Sequence, residues 1–292
     1  MNRYQLLIAI TAVILLAGCD FKHPIYDLEG SGKGGLTLTT SWTQRSSGID
    51  IPTSYKAEMG GYSENLTGET NTLDHLFDEG AYRLYVWNPA DEITVSGTTA
   101  TVTAATGNVD GIGTFVHNAP GWFFSRAMDV TITEDYTQSV TAVMRQQVRQ
   151  LTVRLNPSAA AAGQIASAEG YLAGVAGTLD MDTNTHGAAS NIEINFTEIT
   201  SGADAGKWTA TVYLLGIAGE QQTFGALIRF ADGSTATLTS DISEDIAGFN
   251  SDKIQPLELT AAIDITRTEA GFTADINDWT VVRGGSVTAE RQ

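Results

Sequence analysis

Residues Ala81 to Asn88 read AYRLYVWN. Tyr82, Leu84 and Val86 alternate with Arg83, Tyr85 and Trp87, so an extended chain sends the two sets to opposite faces. Gly80 opens the run and Asn88-Pro89 closes it, because proline restricts the residue before it and cannot donate to a central ladder. The stretch therefore predicts a strand, and the same grammar recurs along the chain. Leu36, Leu38, Thr40 and Trp42 alternate with Thr37, Thr39 and Ser41. Further strands are expected over 92–96, 99–105, 128–133, 137–144 and 148–155 (VRQLTVRL). Beyond them come 192–199, 207–215, 223–230, 234–239, 257–266 and 272–282. With 38 threonines and 30 glycines among 292 residues, the composition also favours strands and tight turns over helices.

Strands of this length, parted by Gly, Asn or Asp turns about every eight to twelve residues, predict an all-β chain of antiparallel sandwiches. Asp232-Gly233, between ALIRFA and STATLTS, is expected to form a type I′ hairpin turn, which needs positive φ at both positions. Pro157 to Gly170 (PSAAAAGQIASAEG) reads as a short helix or a coil, its proline suited to a first turn and Gly163 weakening the rest. The length suggests two domains. We place them at 36–145 and 146–292. Arg145-Gln146-Gln147 is too short for a flexible linker, so the two are expected to touch.

The chain before residue 36 follows other rules. Arg3 precedes the apolar run Leu6 to Leu16 (LLIAITAVILL), which at ~1.5 Å per residue spans only about half of a hydrocarbon core. Residues 1–18 therefore read as a signal peptide rather than a membrane span. Leu16, Ala17, Gly18 and Cys19 follow directly, and this box resembles the lipobox of bacterial lipoproteins. The resemblance implies that Cys19 receives a diacylglyceryl group, becomes the mature N-terminus and makes the membrane a partner. Cys19 is the one cysteine, so no internal disulfide or cysteine-based zinc site can form. Residues 19–35 end in GSGKGG and read as a lipidated, flexible tether. A P-loop is excluded there, since Asp27 stands where its first glycine belongs and Gly34 where its hydroxyl belongs.

Acids outnumber bases 34 to 16, a net charge of 16 − 34 = −18. Scarce, scattered Lys and Arg argue against nucleic acid as a partner. Loss of Arg3 with the leader gives 15 − 34 = −19, which keeps the mature chain soluble and off an anionic headgroup layer. His23, His75, His117 and His186 lie far apart, and neither HExxH nor GxSxG occurs. Asp180 to Asn184 opens like a calcium loop but lacks the glycine and glutamate of an EF-hand at Thr185 and Asn191, so a polar turn is expected. No metal, no cofactor and no catalytic residue is assigned, and an enzyme is not the reading favoured. Trp42, Tyr85, Trp87, Trp122, Phe123, Phe124, Trp208 and Trp279 are either core or sugar-stacking platforms. Trp122-Phe123-Phe124 follows the turn NAPG and cannot point all three rings inward if extended, so it is the candidate seam, partner or ligand surface.

The lipobox, the strand ending in Trp42, Met59, GAYRLYVWN, MRQQVRQLTVRL (144–155), YLAGVAGTLDM (171–181) and ADINDWTVV (274–282) occur in this order. The chain in this respect resembles the fimbrillin-type lipoproteins of Bacteroidales, particularly the minor-fimbrium anchor branch. That resemblance implies two transthyretin-like β-sandwiches in tandem, a place on the outer membrane, and a role as shaft, tip, anchor or adhesin with other fimbrial subunits as partners. It also implies strand addition at an incomplete sheet, and removal of the first strand in shaft subunits by cleavage after a basic residue. Arg45 is the candidate cleavage point and Lys33 the second. The short segment Ser286 to Ala289 makes a poor donor strand, which favours an uncut, lipid-retaining anchor or accessory subunit. The alternative is a surface lipoprotein that binds a glycan or host ligand.

Overall fold

The computed structural model describes residues 31–107, 114–158, 162–269 and 271–284. The leader and the box Leu16, Ala17, Gly18 and Cys19 lie outside them. Among the described residues the protein is all-β, interrupted by a three-residue 3-10 turn at Ala162–Gln164.

The first sheet runs, neighbour to neighbour, through Tyr62–Thr67, Ser54–Met59, Gly80–Trp87, Phe124–Ile132, Thr137–Gln146, Lys33–Gln44 and Thr70–Thr72. Phe77–Asp78 also pairs with Lys33–Gln44. This sheet curls until its two ends meet. Asn71 of the last strand donates to the Tyr55 hydroxyl of the second at 2.8 Å, and the Trp42 and Tyr55 rings stand 6.3 Å apart. Enclosed between them are Leu36, Leu38, Met59, Leu84, Val86, Phe124, Val130, Ile132 and Met144. The inward set is the even-numbered face of the quoted stretch, as the period of two requires.

Two further sheets face each other around a larger core. One runs Thr235–Asp241, Thr223–Phe230, Ile165–Asp180, Thr185–Asn195, Phe115–Val116 and Ala104–Ala105. The other runs Thr197–Glu198, Trp208–Leu214, Arg149–Pro157, Leu257–Thr268 and Gly271–Arg283. Rings bridge them, with Phe224 5.2 Å from Trp279 and Phe230 4.7 Å from Phe272.

Residue 145 falls at the end of Thr137–Gln146, yet the sheets exchange strands across it. The hairpin of Ile93–Ser96 and Thr99–Val102 pairs with Ile165–Asp180, Thr101 opposite Thr178. Ile93, Ala100 and Val102 are buried in the larger core.

Two local expectations are corrected. Within the alanine-rich stretch 157–170 the helix is no more than the 3-10 turn Ala162–Gln164, and both described ends are strand rather than helix or coil. Arg149–Pro157 extends through the proline, and Ile165–Asp180 starts at its far end. Ala168 pairs with Ile228 and Gly170 with Ala226, so tertiary pairing overrides the helix propensity of alanine. The Asp232-Gly233 hairpin is present, but only Gly233 has positive φ, at 86°. Phe230 N donates to Ser234 O and Gly233 N to Phe230 O. The loop is therefore one residue longer than a type I′ turn, with glycine at its left-handed end. Asp232 fits it by accepting from the backbone N and hydroxyl of Ser234.

Candidate functional site

The first strand, Lys33–Gln44, turns Leu36, Leu38, Thr40 and Trp42 inward, all buried. It lies parallel to Thr137–Gln146, with seven consecutive pairs from Gly35↔Thr137 to Ser41↔Val143. On its other edge it is antiparallel to Thr70–Thr72 and Phe77–Asp78. Gly34 is required at the entry: a Cβ there would collide with the Thr133 carbonyl. The chain is fastened at this point. Ser31 donates its N and hydroxyl to Asp135 Oδ1 at 3.3 and 2.9 Å, and Gly32 N donates to Glu134 Oε1 at 2.7 Å. Lys33 pairs with Asp78 and holds that carboxyl below its ordinary range.

The far end of the strand reaches a polar seam between the two cores. Arg45 donates from Nε to Ile49 O (2.8 Å) and from Nη1 to Trp42 O (3.0 Å). Ser46 is buried; its N and hydroxyl donate to Gln146 Oε1, and its hydroxyl also reaches Ile254 O at 2.7 Å. Gln146 Nε2 donates to Val148 O and Lys253 O. The buried Lys253 ammonium donates to Gln147 O (2.8 Å), Leu215 O (2.7 Å) and His186 Nε2 (2.7 Å). Burial and the Arg149 charge push Lys253 down to about 7, against three acceptors that favour the ammonium. Burial and Lys253 push His186 down to about 4, so the imidazole accepts as the neutral form. Arg149 is buried as well, donating to Gln255 O and Phe249 O over the Phe249 ring, and burial lowers it to about 10.

Trp122-Phe123-Phe124 sits at this seam, but not as a continuous outer surface. Phe123 and Phe124 are both 0% exposed, Phe123 in the larger core and Phe124 in the smaller. Successive residues of an extended chain face opposite ways, and here each way is a core. As a partner or ligand surface those two residues are therefore corrected to core. Trp122 is half-buried, packs against both cores and stands edge-on to Tyr213 at 5.1 Å. Asn88 staples the bend, accepting from Phe124 N at 2.7 Å and donating to Trp122 O at 2.9 Å. Beside Trp122 lies an open groove of about 590 Å³ lined by Ile49, Ile51, Pro52, Pro89 and Ala90 among others. Of the other aromatics, Trp42, Trp87 and Trp208 are core, and Tyr85 and Trp279 are half-buried.

The Asp180 carboxylate accepts from Asp182 N and Thr183 N, which closes the expected polar turn. Asp182 in turn accepts from Arg83 Nε at 2.6 Å and ties the turn to the first sheet. Sequence reasoning missed His186, Lys253 and Arg149. His186 and Lys253 lie 67 positions apart, and no local pattern marks such a pair.

The family model described as "Fimbrillin-A associated anchor proteins Mfa1 and Mfa2" matches residues 59–283. Among solved structures, the fimbrial anchor protein Mfa2 from Porphyromonas gingivalis is similar with a TM-score of 0.56 at 10% identity. The match covers 85% of this chain and 97% of that one. One candidate adhesin from Bacteroides ovatus gives 0.59 at 10% identity over 86% and 93% of the two chains. Another from the same species gives 0.56 at 13% over 73% and 84%. No curated protein matches the chain. At these identities the structural likeness is one of fold.

Proposed function

The chain belongs to the family of fimbrillin-A associated anchor proteins, and from that premise we propose that it is a lipid-anchored fimbrial anchor or accessory adhesion subunit of the outer membrane. In this reading it is non-catalytic, has two sandwich-like cores that meet near 145 and share the 93–102 hairpin across it, and carries its lipid on Cys19 behind the box Leu16, Ala17, Gly18. The observation that carries the proposal is the first strand. It follows the lipobox by one short tether, and it is fastened at Ser31–Lys33 and again at Arg45–Ser46. Cleavage after Arg45 would require the buried Ser46 to leave its bonds to Gln146 and Ile254, which favours an uncut strand and a retained lipid. Strand addition by a neighbouring subunit would use the long edge Gly271–Arg283, which among the described residues pairs on one side only, with Leu257–Thr268.

The test is an outer-membrane pull-down with the native chain and with Cys19→Ala. Recovery of other fimbrial subunits with the native chain, and release of the variant from the membrane fraction, is the expected result. An intact native chain that stays in the membrane alone would sink the subunit reading.

The groove beside Trp122 favours a second reading, a surface binder of glycan or host ligand. A glycan array that yields a sugar hit abolished by Trp122→Ala would establish it instead.

A further inference from the structure

We propose that the first strand is a mechanical clamp: a chain held at Cys19 and loaded from its second half carries the tension through Lys33–Gln44 in shear against Thr137–Gln146. The inference rests on the anchored reading above, and it follows from which ends of the strands the force reaches.

Tension from the tether enters at Ser31. The chain crosses from the first sheet to the larger core at three places, after Trp87, before Phe124 and after Gln146. Those three residues lie at one end of the first sheet, since Trp87 pairs with Ser125 and Phe124 with Gln146. The tether enters at the opposite end, where Gly35 pairs with Thr137 and Asp135 N donates to Lys33 O. Load from the second half therefore pulls the C-terminal end of Thr137–Gln146, while the membrane pulls the N-terminal end of Lys33–Gln44. Parallel strands pulled at opposite ends are sheared. The force runs along both strands, and the seven consecutive pairs from Gly35 to Ser41 bear it together. The same strand pulled from one end against its neighbour would open one pair at a time.

Side chains oppose sliding as well. A slip of one residue turns Leu36, Leu38, Thr40 and Trp42 from the core to the opposite face. A slip of two drags Leu38 to the place of Leu36 and Trp42 to that of Thr40, in a core where Trp42 is already wedged 5.5 Å from Phe124. Thr70–Thr72 and Phe77–Asp78 cover the other edge, so the strand is held from both sides. Arg45 and Ser46 latch its far end to the seam.

Single-molecule force spectroscopy tests the clamp on the unacylated chain from Cys19 onward, whose native thiol supplies one handle. The second handle is placed at Arg145→Cys, at the C-terminal end of the partner strand, for shear. For unzipping it is placed at Tyr136→Cys, beside the tether end. Both side chains are exposed. The first rupture is expected at a several-fold higher force for the 19–145 pair than for the 19–136 pair. Equal forces, or a lower force for the 19–145 pair, would overturn the proposal. Membrane fractionation of Cys19→Ala reports separately on the anchored reading, so failure of one is not mistaken for failure of the other.

Discussion

His186 and Lys253 are the pair in which a single proton matters most to this fold. The Lys253 ammonium donates to the bare Nε2 of His186 at 2.7 Å, inside a seam where Lys253 is buried and His186 half-buried. Protonating His186 would set two cations against each other. The unfolded imidazole gains its proton near 6.5 and the native one only near 4, so between those values the unfolded state binds more protons and stability falls as pH falls. The difference is worth about 3 kcal/mol at most, at roughly 1.4 kcal/mol per pKa unit. Lys253 acts with the same sign higher up: its native value near 7 lies below the unfolded one near 10.5, so its contribution rises with pH between them. The expected outcome is that the native Tm drops more between pH 6.5 and 4.5 than that of His186→Gln, whose amide oxygen still accepts from Lys253. Carboxylates titrate alike in both proteins and cancel from the comparison. An equal drop would assign the acid sensitivity elsewhere.

At the scale of the element, Ile165–Asp180 shows why period-two reading finds strands but not their irregularities. Its pairing with Thr185–Asn195 shifts register between Ala173 and Val175, leaving Gly174 as the extra residue at φ 77°. A Cβ on Gly174 would also strike the Gln221 carbonyl. Gly174→Ala is therefore expected to cost about 2–4 kcal/mol in denaturant unfolding, through backbone strain and collision together. Gly163→Ala is the control, since nothing lies within 4 Å of its Cβ and its φ is not positive; it should change stability by about 1 kcal/mol or less. Just beyond Gly163, from Ile165 to Gly170, reading by propensity failed. Ala162–Gln164 forms only a 3-10 turn, and pairing with Thr223–Phe230, some 60 residues away, makes the chain a strand from Ile165 onward. The Asp232-Gly233 hairpin was legible because its signal is local, whereas its loop length was not, because bulge and turn share the same glycine.

At the scale of the whole molecule, the two cores are interlocked rather than strung in series. The hairpin 93–102 leaves the first sheet after Trp87, covers part of Ile165–Asp180 and returns through Phe123 to Phe124. A fragment of residues 146–292 would lose the buried Ile93, Ala100, Val102 and Phe123 from its core. It is expected to lack the cooperative denaturant transition of the full chain, with a lower midpoint and weaker near-ultraviolet dichroism. A fragment that unfolds as sharply as the second half of the intact protein would show the hairpin to be dispensable.

What the amino-acid sequence determined by itself was local and periodic: the alternation that makes AYRLYVWN and its fellows strands, and the all-β class. Each follows from neighbours within a few positions, where covalent geometry fixes which way a side chain points. The tertiary structure alone decided the rest. It set Phe123 and Phe124 in separate cores, brought Lys253 to His186, sent the 93–102 hairpin across the seam and laid the first strand parallel to Thr137–Gln146. The physical reason is that burial and pairing between distant segments depend on the whole set of apolar faces competing for cover, and no window of the chain contains that competition.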